Sequence, residues 1–124
     1  MADIFALWTI SKAEVDEEDR TVSYDYKPHP AQISAIMLIL SIVSEGKSDK
    51  PKSVANCMAQ VGTGEGKSVV LAGLSSFLAL VGFEVNCACY SVYLSERDRA
   101  AFKGLFELLE IHNKISYGTF NEVC

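Results

Sequence analysis

A glycine-rich loop set between an apolar run and an apolar helix constrains this chain more than any other feature. Val61-Gly62-Thr63-Gly64-Glu65-Gly66-Lys67-Ser68 ends in Gly-Lys-Ser. Upstream, residues 54–61 (VANCMAQV) read as a short buried strand, and downstream, residues 68–81 (SVVLAGLSSFLALV) read as an apolar helix. A strand, then glycines, then Lys-Ser opening a helix is the local arrangement that makes a phosphate site. Glycines let backbone N–H groups approach phosphate oxygens with no Cβ in the way. The helix N-terminus adds unpaired N–H donors and the positive end of its dipole. Lys67 supplies a mobile cation for the terminal phosphates, and the Ser68 hydroxyl can ligate Mg²⁺.

Chance is a poor explanation of the loop. Composition alone produces a Gly-x-Gly-Lys-[Ser/Thr] run in on the order of one in two hundred chains of this length. A second copy, Gly46-Lys47-Ser48, follows a helical run and meets Asp49-Lys50-Pro51. Proline blocks the helix that a phosphate would need there, so that copy reads as a loop. One departure narrows the type: the G-x-x-x-x-G-K-[ST] pattern asks for glycine where this chain has Val61. Valine there speaks against the common GTPase or kinase loop and for a helicase-type variant.

The 124 residues are enough for one core but short for a complete nucleoside-triphosphatase. With 49% apolar residues and only three prolines, the chain reads as folded rather than disordered. A net charge of −5 and no Lys/Arg stripe give no electrostatic footing for nucleic acid. The first residues lack a basic n-region and a cleavage site, so no signal peptide is expected. The longest apolar stretch, residues 36–43, falls far below the roughly 20 needed to cross a bilayer. A soluble protein of a reducing compartment is expected, with Cys57, Cys87, Cys89 and Cys124 as buried thiols. Cys87 and Cys89 share one face of a strand but lack the second pair that a metal site requires.

Along the chain, residues 2–14 read as a helix and 14–25 as a charged connector. Pro28 and Pro30 set up a helix over 31–45, with Ile33, Ile36, Met37, Leu40 and Val43 on one side. Residues 46–52 form a polar loop. The helix after the glycine loop ends at Gly82 as its cap. A second strand over 83–91 leads to an amphipathic helix over 94–111, on which Leu94, Phe102, Leu105, Phe106 and Leu109 recur. A third strand covers 115–117, and Gly118-Thr119 turns out of it. Strands alternating with helices at these lengths predict an α/β fold with a parallel sheet.

Three runs resemble one family, the SecA-like motor ATPases of preprotein translocation. The family's loop reads M-x-T-G-E-G-K-T, against which this chain keeps Thr63-Gly64-Glu65-Gly66-Lys67 and has Ser68. Its N-D-Y-L-A-x-R-D run is matched by Tyr93, Leu94, Arg97 and Asp98, and its I-T-Y-G-T-N-N-E run by Ile115, Tyr117-Gly118-Thr119 and Asn121-Glu122. The resemblance implies an incomplete RecA/helicase-like P-loop sheet with flanking helices, preceded by N-terminal helices. It divides the chain into residues 1–27, a helix and connector, and residues 28–124, part of a DEAD-type nucleotide-binding motor domain. ATP and Mg²⁺ are the implied ligands. Thr63, Gly64, Glu65, Gly66, Lys67 and Ser68 would bind the nucleotide, with Ser68 on the metal and Gln32 placed as the family's adenine-reading glutamine. Arg97 and Asp98 are either a solvated pair favoured by the helix dipole or, by resemblance, substrate-coupling residues.

The departures carry expectations of their own. His112-Asn113-Lys114 alone fills a segment that is longer in the family. No D-E-x-D run follows the loop within these residues, and neither does the second motor domain or the peptide-clamping domain. The chain therefore reads as the first part of a motor, a fragment or a degenerate gene product. No catalytic residue is assigned, no second acid completes the metal site, and hydrolysis by the chain alone should be negligible. Unfolded polypeptide, a translocation channel at a membrane and the remainder of the parent motor are the implied partners, in a cytoplasmic or peripheral membrane setting. A superfamily 2-type nucleic-acid helicase or remodeller, and a non-enzymatic module with a relic loop, are the competing readings. In the family the loop-bearing strand and the next strand are not sheet neighbours. A gap or a non-native pairing is therefore expected, with association through exposed edges and apolar helix faces.

Overall fold

The computed structural model describes residues 1–15, 22–23, 26–45 and 56–123. Most of the expected connector with Tyr24, the second Gly-Lys-Ser copy and its loop, Val54-Ala55 and Cys124 lie outside the described residues.

Ile4, Phe5 and Trp8 fall on one side of a helix, and they are the buried face of α1 (Ala2–Ser11). Asp3 in the first turn suits the positive end of the dipole. Next comes a feature that the sequence reading missed. Instead of a helix reaching residue 14, β1 (Glu14–Val15) pairs antiparallel with β2 (Val22–Ser23). Two-residue strands are too short to show the alternation that would announce them.

Pro30 opens α2 (Pro30–Glu45), where its fixed φ and missing N–H suit the first helical position. Ile36 is fully buried, with Ile33, Ile39 and Leu40 packed beside the core. Met37, expected on the inner side, is 54% exposed. It sits one residue, about 100° of helix, from the buried Ile36. The side chain of Val43 lies outside the described residues.

Helix α3 (Lys67–Val81) buries Val70, Ala72, Gly73, Ser75, Ser76 and Ala79. Gly73 is a point of close approach: a Cβ there would stand 2.8 Å from Ile36 Cδ1 and 3.0 Å from Phe5 Cζ. Both α1 and α2 therefore press side chains onto this residue. The helix ends as the sequence predicts. Gly82 adopts φ +106°, its N–H donates to the Ala79 carbonyl, and Phe83 N–H reaches back to Leu78.

Strand β3 (Val85–Cys89), helix α4 (Val92–Leu108) and strand β4 (Ile115–Thr119) form a β–α–β unit. The strands are parallel, from Val85 opposite Ile115 to Cys89 opposite Thr119. Gly118 and Thr119 are the end of β4 rather than a turn. Thr119 then leads into α5 (Phe120–Val123), with the Glu122 carboxylate accepting from Thr119 N–H at 2.8 Å and from its hydroxyl at 2.9 Å. This is half of a capping box, and these two hydrogen bonds hold Glu122 below the ordinary carboxylate range.

Helix α4 buries Phe102, Leu105 and Phe106, while Leu94, expected in the same stripe, is 38% exposed. Rings follow one another from α1 to β4: Trp8 to Phe102 at 6.1 Å, Phe102 to Phe106 at 6.4 Å, and Phe106 to Tyr117 at 6.1 Å between centroids. Burial pushes the Tyr117 phenol up and also raises the Cys87 thiol, which lies 3.1 Å from Ser75 Oγ. Cys57, in contrast to the expected burial, is exposed.

The main correction concerns the loop-bearing strand. Asn56 to Val61 has no regular structure, residues 56–60 are exposed, and Met58 is 98% exposed. A strand is held by its ladder, and no described strand pairs with this segment. The result is a mixed α/β architecture: an incomplete P-loop-type sheet of two parallel strands, flanked by helices and preceded by N-terminal helices. Among the described residues no helix is long and apolar enough to cross a membrane.

The end of α4 carries a testable strain. Glu110 sits at φ +56° while Ile111 N–H reaches Phe106 and Glu110 N–H reaches Glu107, both at 3.0 Å. This is the helix ending that glycine favours. Glu110→Gly should stabilise the fold by roughly 0.5–1 kcal/mol, seen as a thermal midpoint several degrees higher. An unchanged or lower midpoint counts against the strain.

Candidate functional site

The loop before α3 is shaped by backbone conformations that side chains disfavour. Gly64 and Gly66 take φ of +85° and +73°. Glu65 N–H turns back to the Gly62 carbonyl at 3.3 Å, and Gly66 offers its own carbonyl to Val69 and Val70 as the helix begins. No side chain caps α3. Among the described residues, no carbonyl takes the N–H groups of Gly64, Gly66, Lys67 or Ser68. These donors lie at the positive, N-terminal end of a 15-residue helix, a setting that suits an anion.

Side chains complete the loop's surroundings. Lys67 Nζ donates to the Gly62 carbonyl at 2.9 Å, folding the cation over its own loop. Gln32, in the first turn of α2, donates Nε2 to the Glu65 carbonyl at 3.1 Å and accepts from His29 N–H through Oε1 at 2.9 Å. A Cβ at Gly66 would meet Gln32 Nε2 and displace the Gln32 amide, and the φ of +73° itself favours glycine there. Thr63 and the side chain of Glu65 are exposed. A cavity of about 230 Å³ lies between α2 and the loop, lined by Ala31, Gln32, Gln60, Val61, Gly62 and Glu65 among others. A larger one of about 700 Å³ is bounded by Gly64, Gly66, Lys67, Ser68, Arg97 and Asp98, with apolar residues of α2 and α3 behind them.

The loop is also tied to α4, which the sequence reading did not foresee. Ser68 Oγ donates to Asp98 Oδ2 at 2.8 Å, across 30 residues of sequence. Arg97 grips the other oxygen of the same carboxylate, Oδ1, through Nε at 3.0 Å and Nη2 at 2.7 Å. The expected Arg97–Asp98 pair therefore exists, but it is not simply solvated: Asp98 is buried, whereas the Arg97 side chain is half exposed. The carboxylate raises the guanidinium pKa further, mainly by hydrogen bonding. Ser68 thus has a carboxylate as its partner, a contact that supplies no D-E-x-D run and no metal-holding cluster among the described residues. Only the position of Asp98 early in the helix after the next strand hinted at this contact, since tertiary folding makes it.

Among the described residues no cluster of three or more His, Cys, Asp or Glu side chains could hold a metal by itself. Asp16-Glu17-Glu18-Asp19 spells D-E-x-D ahead of the loop, outside the described residues. Of the site residues read from sequence, Gln32, Gly64, Gly66, Lys67, Ser68 and the Glu65 backbone come together around the cradle.

A family model described as the SecA DEAD-like domain matches residues 13–122. Comparison with curated proteins and with solved structures gave no match.

Proposed function

Because the chain belongs to the SecA DEAD-like domain family, we propose that it binds ATP with Mg²⁺ as the nucleotide-binding part of a motor that drives protein translocation. The observation that carries this reading is the set of unclaimed N–H groups at the head of α3, beside Lys67. A triphosphate supplies the acceptors those donors lack. Lys67 would leave the Gly62 carbonyl for the terminal phosphates, and Ser68 Oγ would ligate the metal. Mg²⁺ held there would supply neutralisation of phosphate charge. Gln32 already spends one N–H on Glu65 and one lone pair on His29. One donor and one acceptor remain, the complement of an adenine edge. The cavity beside it at 230 Å³ suits a base rather than a whole nucleotide.

The chain alone should turn over ATP negligibly, since positioning and charge neutralisation supply nearly all of phosphoryl-transfer catalysis. Unfolded polypeptide and a membrane channel enter as partners through the family, with the chain cytoplasmic or peripheral at the membrane. The acidic balance, net charge −5, disfavours nucleic acid.

Thermal stability tests the reading, because a ligand that binds only the folded chain must stabilise it. ATP with Mg²⁺ at a hundredfold excess over its Kd should add about 2.7 kcal/mol. GTP should add less, and Gln32→Ala should narrow the difference. No shift with any nucleotide would favour a relic loop. A shift driven by RNA but not by unfolded polypeptide would favour a helicase.

A further inference from the structure

A hydroxyl that ligates a cation through its oxygen must send its hydrogen elsewhere, and in this fold the recipient is already in place. Ser68 Oγ donates to Asp98 Oδ2 at 2.8 Å. The carboxylate is buried and fixed from behind by the Arg97 fork on Oδ1. Arg97 Nη2 also donates to Ser68 Oγ at 3.4 Å, taking one of its two lone pairs. The hydroxyl hydrogen is thus spent on α4 and one lone pair of Ser68 stays unclaimed, in a residue that lines the same cavity as Gly64, Gly66 and Lys67. Partners of this kind orient a ligating group and raise its basicity, and losing one costs about 10–100-fold in metal affinity.

We propose that Asp98 is the positioning residue for the metal-ligating hydroxyl of Ser68. This rests on the nucleotide-binding reading given above and goes beyond it, since it adds a residue from the start of α4. Arg97 keeps the carboxylate turned and partly neutralised, so that Asp98 accepts from Ser68 and does not itself close on the cation. The same contact makes the first turns of α4 sense whether the hydroxyl is engaged.

The test separates metal-dependent from metal-free binding. A fluorescent ATP analogue is titrated into the 124-residue chain with Mg²⁺ and, separately, with EDTA. In wild type Mg²⁺ tightens binding. In Asp98→Asn that tightening should fall by about tenfold or more, while binding in EDTA, carried by the backbone cradle and Lys67, persists and is no weaker than in wild type, since a negative charge beside the phosphates is removed. Retained binding in EDTA also shows that the variant folds, which a merely structural loss would not spare. Arg97→Gln approaches the same carboxylate from an exposed side chain. With the guanidinium gone, the cation meets more negative charge, and the Mg²⁺-dependent tightening should rise by about twofold or more. A tightening equal to wild type in Asp98→Asn, or in Arg97→Gln should the first variant not fold, overturns the proposal and leaves nucleotide binding intact. Wild type that binds no analogue at all fails the nucleotide reading itself, and the proposal with it.

Discussion

Lys67→Ala should weaken binding of ATP with Mg²⁺ by about a hundredfold, the loss of a charge-assisted hydrogen bond worth up to about 3 kcal/mol. The side chain is exposed and bonds only the Gly62 carbonyl, so folding should barely register the change, within about 0.5 kcal/mol. Loss of binding without loss of stability is the signature of a ligand cation. Isothermal titration beside a thermal melt reads both. A variant that binds as tightly as wild type would move the phosphate site away from this loop.

Trp8→Ala should destabilise the fold by about 3–5 kcal/mol, a large part of the 5–15 kcal/mol that domains of this kind possess. Trp8 is 6% exposed and meets Phe5 and Tyr26 edge-to-face and Phe102 at a tilt, with centroids 6.1–6.3 Å apart. Helix α1 precedes the stretch that matches the family model, yet its aromatic face joins the same core as α3 and α4. The Trp8 indole N–H is buried with no partner among the described residues. Trp8→Phe discards that unmet donor along with part of the ring, and should cost clearly less than alanine. Urea denaturation of both variants checks the ranking. Equal stability for wild type and Trp8→Ala would mean that α1 does not dock.

What could be read from residues, and what could not, divides by range. Pro30 and Gly82 mark helix ends through their own backbone preferences, and both helices begin or end within a residue of the reading. The β3–α4–β4 unit was legible because a buried strand, an amphipathic stripe and a second strand follow at β–α–β spacing. The residues 56–61 look locally like a strand, but a strand is a relation to a neighbour, and the neighbour is what these described residues do not provide. Met37 was misplaced because a 3.6-residue period tolerates either of two adjacent positions. The cradle glycines were legible from spacing alone. Asp98 was not, because its partner Ser68 is 30 residues distant and only the packing of α4 beside α3 joins them.

The segment from Asn56 to Val61 has one further consequence. It feeds the glycine loop directly, with its backbone unpaired by any described strand and Met58 bare to solvent. A nucleotide that needs the loop in one arrangement must select that arrangement from others, and its apparent affinity falls by the fraction of time the arrangement is populated. A strand laid alongside residues 56–61 would raise that fraction without touching the ligand. Reciprocity then applies: whatever factor the added strand contributes to nucleotide affinity, the nucleotide returns to the strand. A nucleotide at the loop and a strand paired with residues 56–61 would then be effectors of one another.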